Sequence, residues 1–277
     1  MSTTPFSVSP LTPTIGAVIS NIDLTQSYPS SVYSALRDTL AQHKVIFFRD
    51  QIMNDDQFHA FGDNFGALEQ HEFFPTLDQH PQIQIISTSG GNTGTDRWHT
   101  DVTFREAPSS ASILRAIDIP PGAGGDTMWL CTNAAFQGLS TPLQDLLLSL
   151  EGVHDMRFGM KGYVDRETVE KSVVGNPPRT HPAVIKHPKT GKPHLFVNSI
   201  WTSKFKDLAL DESSALLKLL FEHVKQPEFQ VRFKWEQNSI AIWDNIATQH
   251  YAVSDYNYPR VMNRMIVKGT PLERYTP

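Results

Sequence analysis

Residues Asp96–Phe104 read DRWHTDVTF, with His99 and Asp101 two apart among the β-favouring Val102, Thr103 and Phe104. On an extended strand, residues i and i+2 face the same side. The spacing therefore predicts an imidazole and a carboxylate aimed at one point. Such a pair is either a structural hydrogen bond or two neighbouring ligands of a metal ion. H-x-D by itself does not choose, and the metal reading needs a third ligand elsewhere.

A third candidate is His250, in SIAIWDNIATQHYAVSDY, just past a strongly apolar strand. Two histidines and one carboxylate make the facial triad of non-haem iron(II), which leaves open positions on one side of the metal. Zinc competes, because it accepts the same donors and an open position for water. Arg260 and Arg264 follow in YPRVMNRMIVKG. Their even spacing places both on one face of a strand. Either they are surface arginines paired with acids, or they point inward and each requires an anion, since a buried unpaired charge is strongly disfavoured. A forked guanidinium suits a carboxylate or another oxyanion.

Outward from this stretch, the chain reads as one domain of 277 residues without repeats, low-complexity tracts or linkers. SSVYSALRDTLAQH (residues 30–43) opens with a serine cap and carries Val32, Leu36 and Leu40 at helical spacing. DDQFHAFGDNFG places Phe58, Phe61 and Phe65 on one helical face, read as core. KVIFFRD, QIQIIST, RWHTDVTF, SASILRAID, DTMWLCT, FQVRFKW, SIAIWDN and RVMNRMIVKG are short strand candidates. PLQDLLLSLEG and DESSALLKLLFEHVK are helical, and KHPKTGKPHLFVN is a hairpin turning at residues 189–191. Residues 157–180 mix charge, Gly and Pro without sustained periodicity and read as a lid-like insertion. Many short strands with flanking helices predict a mostly β sandwich or barrel, not a βαβ array.

The net charge of -5 gives no footprint for nucleic acid. The one cysteine, Cys131, cannot make an internal disulfide and reads as a small buried hydrophobe. The N-terminus lacks the pattern of a signal peptide, and no apolar run approaches the roughly 20 residues of a membrane span. The expectation is a cytoplasmic protein with no nucleic-acid or membrane partner.

WHTDVTF, WDNIATQHYAVSDY and the two following arginines, in that order, resemble the taurine dioxygenase (TauD/TfdA-type) family of iron(II)- and 2-oxoglutarate-dependent dioxygenases. The likeness extends to LTPTIGAVISNIDL, HKVIFFRDQ, GGDTMW, NPPRTHP, HPKTGKPHLFVN and KQPEFQVRFKW, and so covers nearly the whole chain. It implies a double-stranded β-helix (jelly roll). His99, Asp101 and His250 match the iron ligands, and Thr127 and Arg260 match the positions that hold the distal carboxylate of 2-oxoglutarate. With O2, the co-substrate would be converted to succinate and CO2 while a substrate carbon is hydroxylated. Related halogenases replace the carboxylate ligand by a small residue, so Asp101 implies hydroxylation. A homo-oligomer, dimer or tetramer, is the implied assembly.

For substrate, the resemblance implies a small organosulfonate or, alternatively, an alkyl sulfate ester. Its anionic group would be held by His71, the backbone at Val102, and Arg264. Trp201 and Phe158 match positions that bring apolar residues to the pocket. Two departures bear on taurine: Phe74 stands where taurine-specific members carry tyrosine, and Gly94 and Thr95 stand near an acidic–amide pair. Those groups suit an ammonium, and Asp96 is the nearest replacement. A larger or more apolar organosulfur anion fits at least as well. Two other classes remain open: a zinc hydrolase using the same triad, which has no use for Thr127 with Arg260, and a barrel that kept the fold without catalysis.

Overall fold

A computed structural model describes residues 4–70, 74–88, 95–120, 122, 124–161 and 166–277. Strand alternation builds its centre. In Val45–Phe48 all four residues are buried; Val45 and Phe47 face one apolar cluster, Ile46 and Phe48 another. The neighbouring Ile240–Asp244 divides in the same way, with Ala241 and Trp243 on the first side and Ile240 and Ile242 on the second. A strand covered on both faces has no solvated side, which is why these segments read as continuous apolar runs.

These strands belong to an eight-stranded sheet. Its order is Ser7–Pro10, Ala17–Ser20, Val45–Phe48, Ile240–Asp244, Ala111–Asp118 and Arg260–Val267, and the last also pairs with Leu68–Glu69 and Gln84–Thr88. Only the pairing of Ala17–Ser20 with Val45–Phe48 is parallel. A smaller sheet, Gln230–Phe233, Thr127–Cys131 and Thr248–Ala252, lies over its inner face. Phe47 stacks on Phe233 with ring centroids 4.1 Å apart, and Trp129 meets Trp243 at 5.7 Å. This is the jelly roll, with helices outside.

The outer face of the large sheet is covered by the helices Ser30–His43 and Asp55–Gly62, through Leu36, Leu40, Phe58 and Phe61. Each such fully buried side chain contributes roughly 1.5–3 kcal/mol. The first helix lacks the expected serine cap: Pro29 occupies the cap position and makes no side-chain hydrogen bond, so Ser30 is already helical. The second has a reciprocal cap between Asn54 and Gln57. Behind the small sheet, Leu130 packs on Leu147, Leu217 and Leu220 of the helices Thr141–Ser149 and Leu210–His223. The hairpin pairs Val184–Lys186 with Pro193–Leu195. The stretch read as an insertion contains two helices, Met156–Met160 and Arg166–Gly175.

One expected strand is not a strand. Of RWHTDVTF, only His99 pairs, in an isolated bridge with His250, and residues 101–104 turn. Tertiary hydrogen bonds override the β propensity there. Thr100 Oγ1 donates to Thr248 O at 2.7 Å. The Asn245 carboxamide accepts from the Asp101 amide at 3.0 Å and donates to the Asp101 carbonyl at 3.2 Å. Val102 then adopts φ 48°, a left-handed conformation rare for a β-branched residue.

Candidate active site

His99 and Asp101 converge through that turn, not through strand alternation. His250 arrives from the facing strand Thr248–Ala252. The Nε2 atoms of His99 and His250 each lie 3.8 Å from Asp101 Oδ1. One ligand atom from each of the three residues lies within 4.8 Å of the others. A separation of 3.8 Å is too long for a hydrogen bond but shorter than two metal–ligand bonds of about 2.1 Å end to end. His99 Nδ1 is 2.7 Å from Arg97 O, so it carries the proton and leaves the Nε2 lone pair facing the site. Burial holds both imidazoles below the ordinary histidine range, and with His99 beside it His250 is pushed down to about 3. Both rings are therefore neutral at neutral pH. Two neutral imidazoles and a carboxylate fit one divalent ion.

The three residues line a cavity of about 580 Å³, together with Thr127, Arg260 and Arg264. Arg260 and Arg264 occupy one face of their strand and are only 8% and 9% exposed. Arg260 donates to Gly125 O and lies 4.4 Å above the Tyr256 ring. Gly125 has φ 70°, a backbone conformation that favours glycine, and a Cβ there would come 2.8 Å from the Arg260 guanidinium and displace it. Among the described residues Arg260 meets no carboxylate, and a buried cation of that kind calls for an anion from solution. Thr127 Oγ1 accepts from Trp235 Nε1 at 2.9 Å, which leaves its hydroxyl hydrogen available to the same anion.

Arg264 is held differently. Its Nε donates to Gln84 Oε1 at 3.0 Å, its Nη1 reaches Asp101 Oδ2 at 3.5 Å, and the guanidinium lies 4.9 Å from the Phe74 ring centroid. Ser112 Oγ also donates to Asp101 Oδ2, at 3.3 Å. Val102 lines the cavity, and its backbone N–H meets no acceptor among the described residues.

Trp201 lines the cavity, and Phe104 packs edge-on against it at 4.8 Å. Phe158 does not line it: the side chain is 44% exposed, and on its helix Met156, Gly159 and Met160 face the cavity instead. One residue of register on a short helix turns a side chain outward. Gly159 is needed there, because a Cβ would meet the Trp201 ring at 2.4 Å. Thr95 lines the cavity, whereas Asp96 does not and is bonded to Ser254 Oγ at 3.3 Å. His71 and Gly94 lie outside the described residues. Among the residues missed from sequence are Arg97, Gln84, which holds the Arg264 guanidinium, and Asn245. Arg97 lines the cavity and donates to Gly159 O at 2.9 Å. Asn245 carried only the weak signal of an amide beside a turn.

Residues 7–266 match the family described as taurine catabolism dioxygenase TauD, TfdA family. The chain is 37% identical to an alkylsulfatase from Acinetobacter baylyi, over 94% of this chain and 84% of that one. It is 36% identical to an alpha-ketoglutarate-dependent sulfate ester dioxygenase from Pseudomonas putida, over 95% and 89%. The crystal structure of a taurine dioxygenase from Burkholderia xenovorans superposes with a TM-score of 0.83 at 37% identity, covering 96% of this chain and 90% of that one. With a His–Asp–His cluster, a buried arginine–threonine pair and a jelly roll already in place, these matches over nearly the full length make the chain a member of the TauD, TfdA family of 2-oxoglutarate-dependent dioxygenases.

Proposed function

We propose that the protein oxidises a small, mostly apolar alkyl sulfate ester, using iron(II), 2-oxoglutarate and O2. The observation that carries this reading is the polarity of the cavity. Among its described lining residues are three arginines, Arg97, Arg260 and Arg264, and a single carboxylate, Asp101, which belongs to the metal cluster. The far wall is apolar: Val102, Phe104, Met156, Met160, Ile200 and Trp201. Such a site suits an anion with an aliphatic body. It offers no described carboxylate partner for an ammonium except Asp101.

His99, Asp101 and His250 would hold the iron. Arg260 and Thr127 would take the distal carboxylate of 2-oxoglutarate, the first by its fork and the second by its free hydroxyl hydrogen. Arg264 and the Val102 N–H would face the substrate oxyanion, with Gln84 fixing the guanidinium in place. The loaded centre supplies an oxidant that hydroxylates the carbon bearing the ester oxygen, with conversion of 2-oxoglutarate and O2 to succinate and CO2. The hydroxylated ester then breaks its C–O bond to sulfate, giving an aldehyde and hydrogen sulfate. A zinc hydrolase would leave the Thr127–Arg260 pair without a task.

A second reading, oxidation of an alkyl sulfonate with release of sulfite, is favoured by the likeness to the solved taurine dioxygenase. Succinate formation should be followed with pentyl sulfate, pentanesulfonate and taurine, with sulfate and sulfite measured in parallel. The expected order is pentyl sulfate first and taurine last. Succinate formed only with taurine, or equally with none, overturns the proposal.

A further inference from the structure

The apolar wall of the cavity is made by two turns. One carries Val102 and Phe104, the other Ile200 and Trp201, and they lie about a hundred residues apart in sequence. Buried polar groups with no metal to bind join them. Asn198 Oδ1 accepts from the amides of Ile200 at 3.1 Å and Trp201 at 2.9 Å, and so shapes the second turn. Its Nδ2 donates to Thr103 Oγ1 at 3.2 Å, in the first turn. Because Thr103 Oγ1 accepts there, its hydrogen is free for His154 Nδ1, 2.8 Å away. His181 Nε2 lies 3.0 Å from both Thr103 O and Arg105 O, and Arg105 N donates to Val102 O at 3.0 Å. The left-handed Val102 is thus held from both sides, by Asn245 at Asp101 and by this group at Thr103. The second turn is tied to the start of the cavity-lining helix Met156–Met160, where Asp155 N donates to Trp201 O at 2.9 Å.

We propose that Thr103 and Asn198 are positioning residues that set the separation of these two turns, and thereby determine which substrate body the cavity accepts. Neither side chain lines the cavity. They act through Val102 and Trp201: the Thr103 hydroxyl ties the tips of the two turns, while Ser199 N and Oγ, both donating to Trp98 O at 3.3 and 2.9 Å, tie their bases. Asn198, Thr103, His154 and Thr202 are all buried, so no water can substitute without a cavity to hold it. Histidine protonation is not part of the device: burial keeps His154 neutral.

The inference rests on the proposed substrate class, and its test separates the two. Thr103→Val keeps the shape and removes the hydroxyl; Thr103→Ser keeps the hydroxyl. In Thr103→Val, the KM for pentyl sulfate should rise about five- to tenfold, and more 2-oxoglutarate should be consumed per sulfate released. The KM for 2-oxoglutarate and the visible band of the iron–2-oxoglutarate complex should stay unchanged, and Thr103→Ser should restore both altered values. Hydrogen exchange, read without turnover, should quicken together at residues 98–105 and 198–202. Should Thr103→Val not fold, Asn198→Asp, which keeps the acceptor for Ile200 and Trp201 but loses the donor to Thr103, gives the same readings. Exchange that quickens in one turn alone, or a KM and coupling ratio like the wild type's, overturns the link. Parallel loss of the band, 2-oxoglutarate binding and fold in both variants makes the residues merely structural and also overturns it. A wild type that consumes 2-oxoglutarate but releases no sulfate sinks the substrate reading alone, and exchange still decides the link.

Discussion

His99 and His250 exchange both of their backbone hydrogen bonds: His99 N–H donates to His250 O at 3.1 Å, and His250 N–H to His99 O at 2.7 Å. Two ligand candidates about 150 residues apart are therefore locked to each other before any ion binds. Asp101, by contrast, is fixed through the Asn245 carboxamide. Such preorganisation leaves little ordering to be done on metal binding.

Anaerobic iron(II) with 2-oxoglutarate should give a visible charge-transfer band and raise the thermal midpoint, because a ligand that binds only the folded state stabilises it. His99→Ala should abolish both. Asn245→Ala should keep a weakened band and lower stability by about 1–3 kcal/mol, the penalty of unpaired buried groups around Asp101. A band unaffected by His99→Ala would refute the assignment of the metal site.

Arg260→Lys retains charge but loses the fork and the stacking on Tyr256. The KM for 2-oxoglutarate should rise on the order of ten- to a hundredfold, equivalent to about 1.4–2.8 kcal/mol, with a far smaller change for the organosulfur substrate. Equal movement of the two constants would show that Arg260 has another role.

Phe74 sits under the Arg264 guanidinium and has no hydroxyl to offer an ammonium. Phe74→Tyr should narrow the preference for pentyl sulfate over taurine by roughly tenfold, the worth of one hydrogen bond to a charged group. If taurine already leads in the wild type, this reading of Phe74 fails.

His154 and His194 are buried away from the metal cluster and held well below the ordinary histidine range, mainly by loss of hydration. A depressed folded-state pKa means that the unfolded chain binds the extra proton first. Their contribution is thus fully present above the unfolded value, near 6.5, and is lost as pH falls below it. These two groups contribute a slope of up to about 2.7 kcal/mol per pH unit below that point, to which the other buried histidines, His99, His181 and His250, add in the metal-free protein. Denaturant unfolding of the metal-free protein at pH 7.5, 6.5 and 5.5 should be flat over the first step and steep over the second. His194→Asn, whose amide can replace the Nδ1 contact to Thr132, should lessen the slope. Equal stability at pH 6.5 and 5.5 would contradict the neutral buried state.

Where a signal is local, the amino-acid sequence determined the outcome. Val32, Leu36 and Leu40 recur at helical spacing and are the buried face of Ser30–His43. The even spacing of Arg260 and Arg264 put both on one face of a strand, because strand parity is a property of the backbone, whereas the sheet packing decided that this face is the inner one. The donor set His99, Asp101 and His250 was likewise legible from residue type and order. Tertiary structure alone decided how those donors meet. The β propensity of DRWHTDVTF yields to hydrogen bonds from Asn245 and Thr248, residues nearly 150 positions away, and a turn replaces the strand. The same holds for Phe158, turned to solvent by the register of a five-residue helix, and for Asn198, whose importance lies in a contact with Thr103 that no local pattern encodes. Local preference within a segment is worth a few tenths to about one kcal/mol per residue. A buried polar group left unpaired costs more than that, so wherever the two conflict the distant partner prevails.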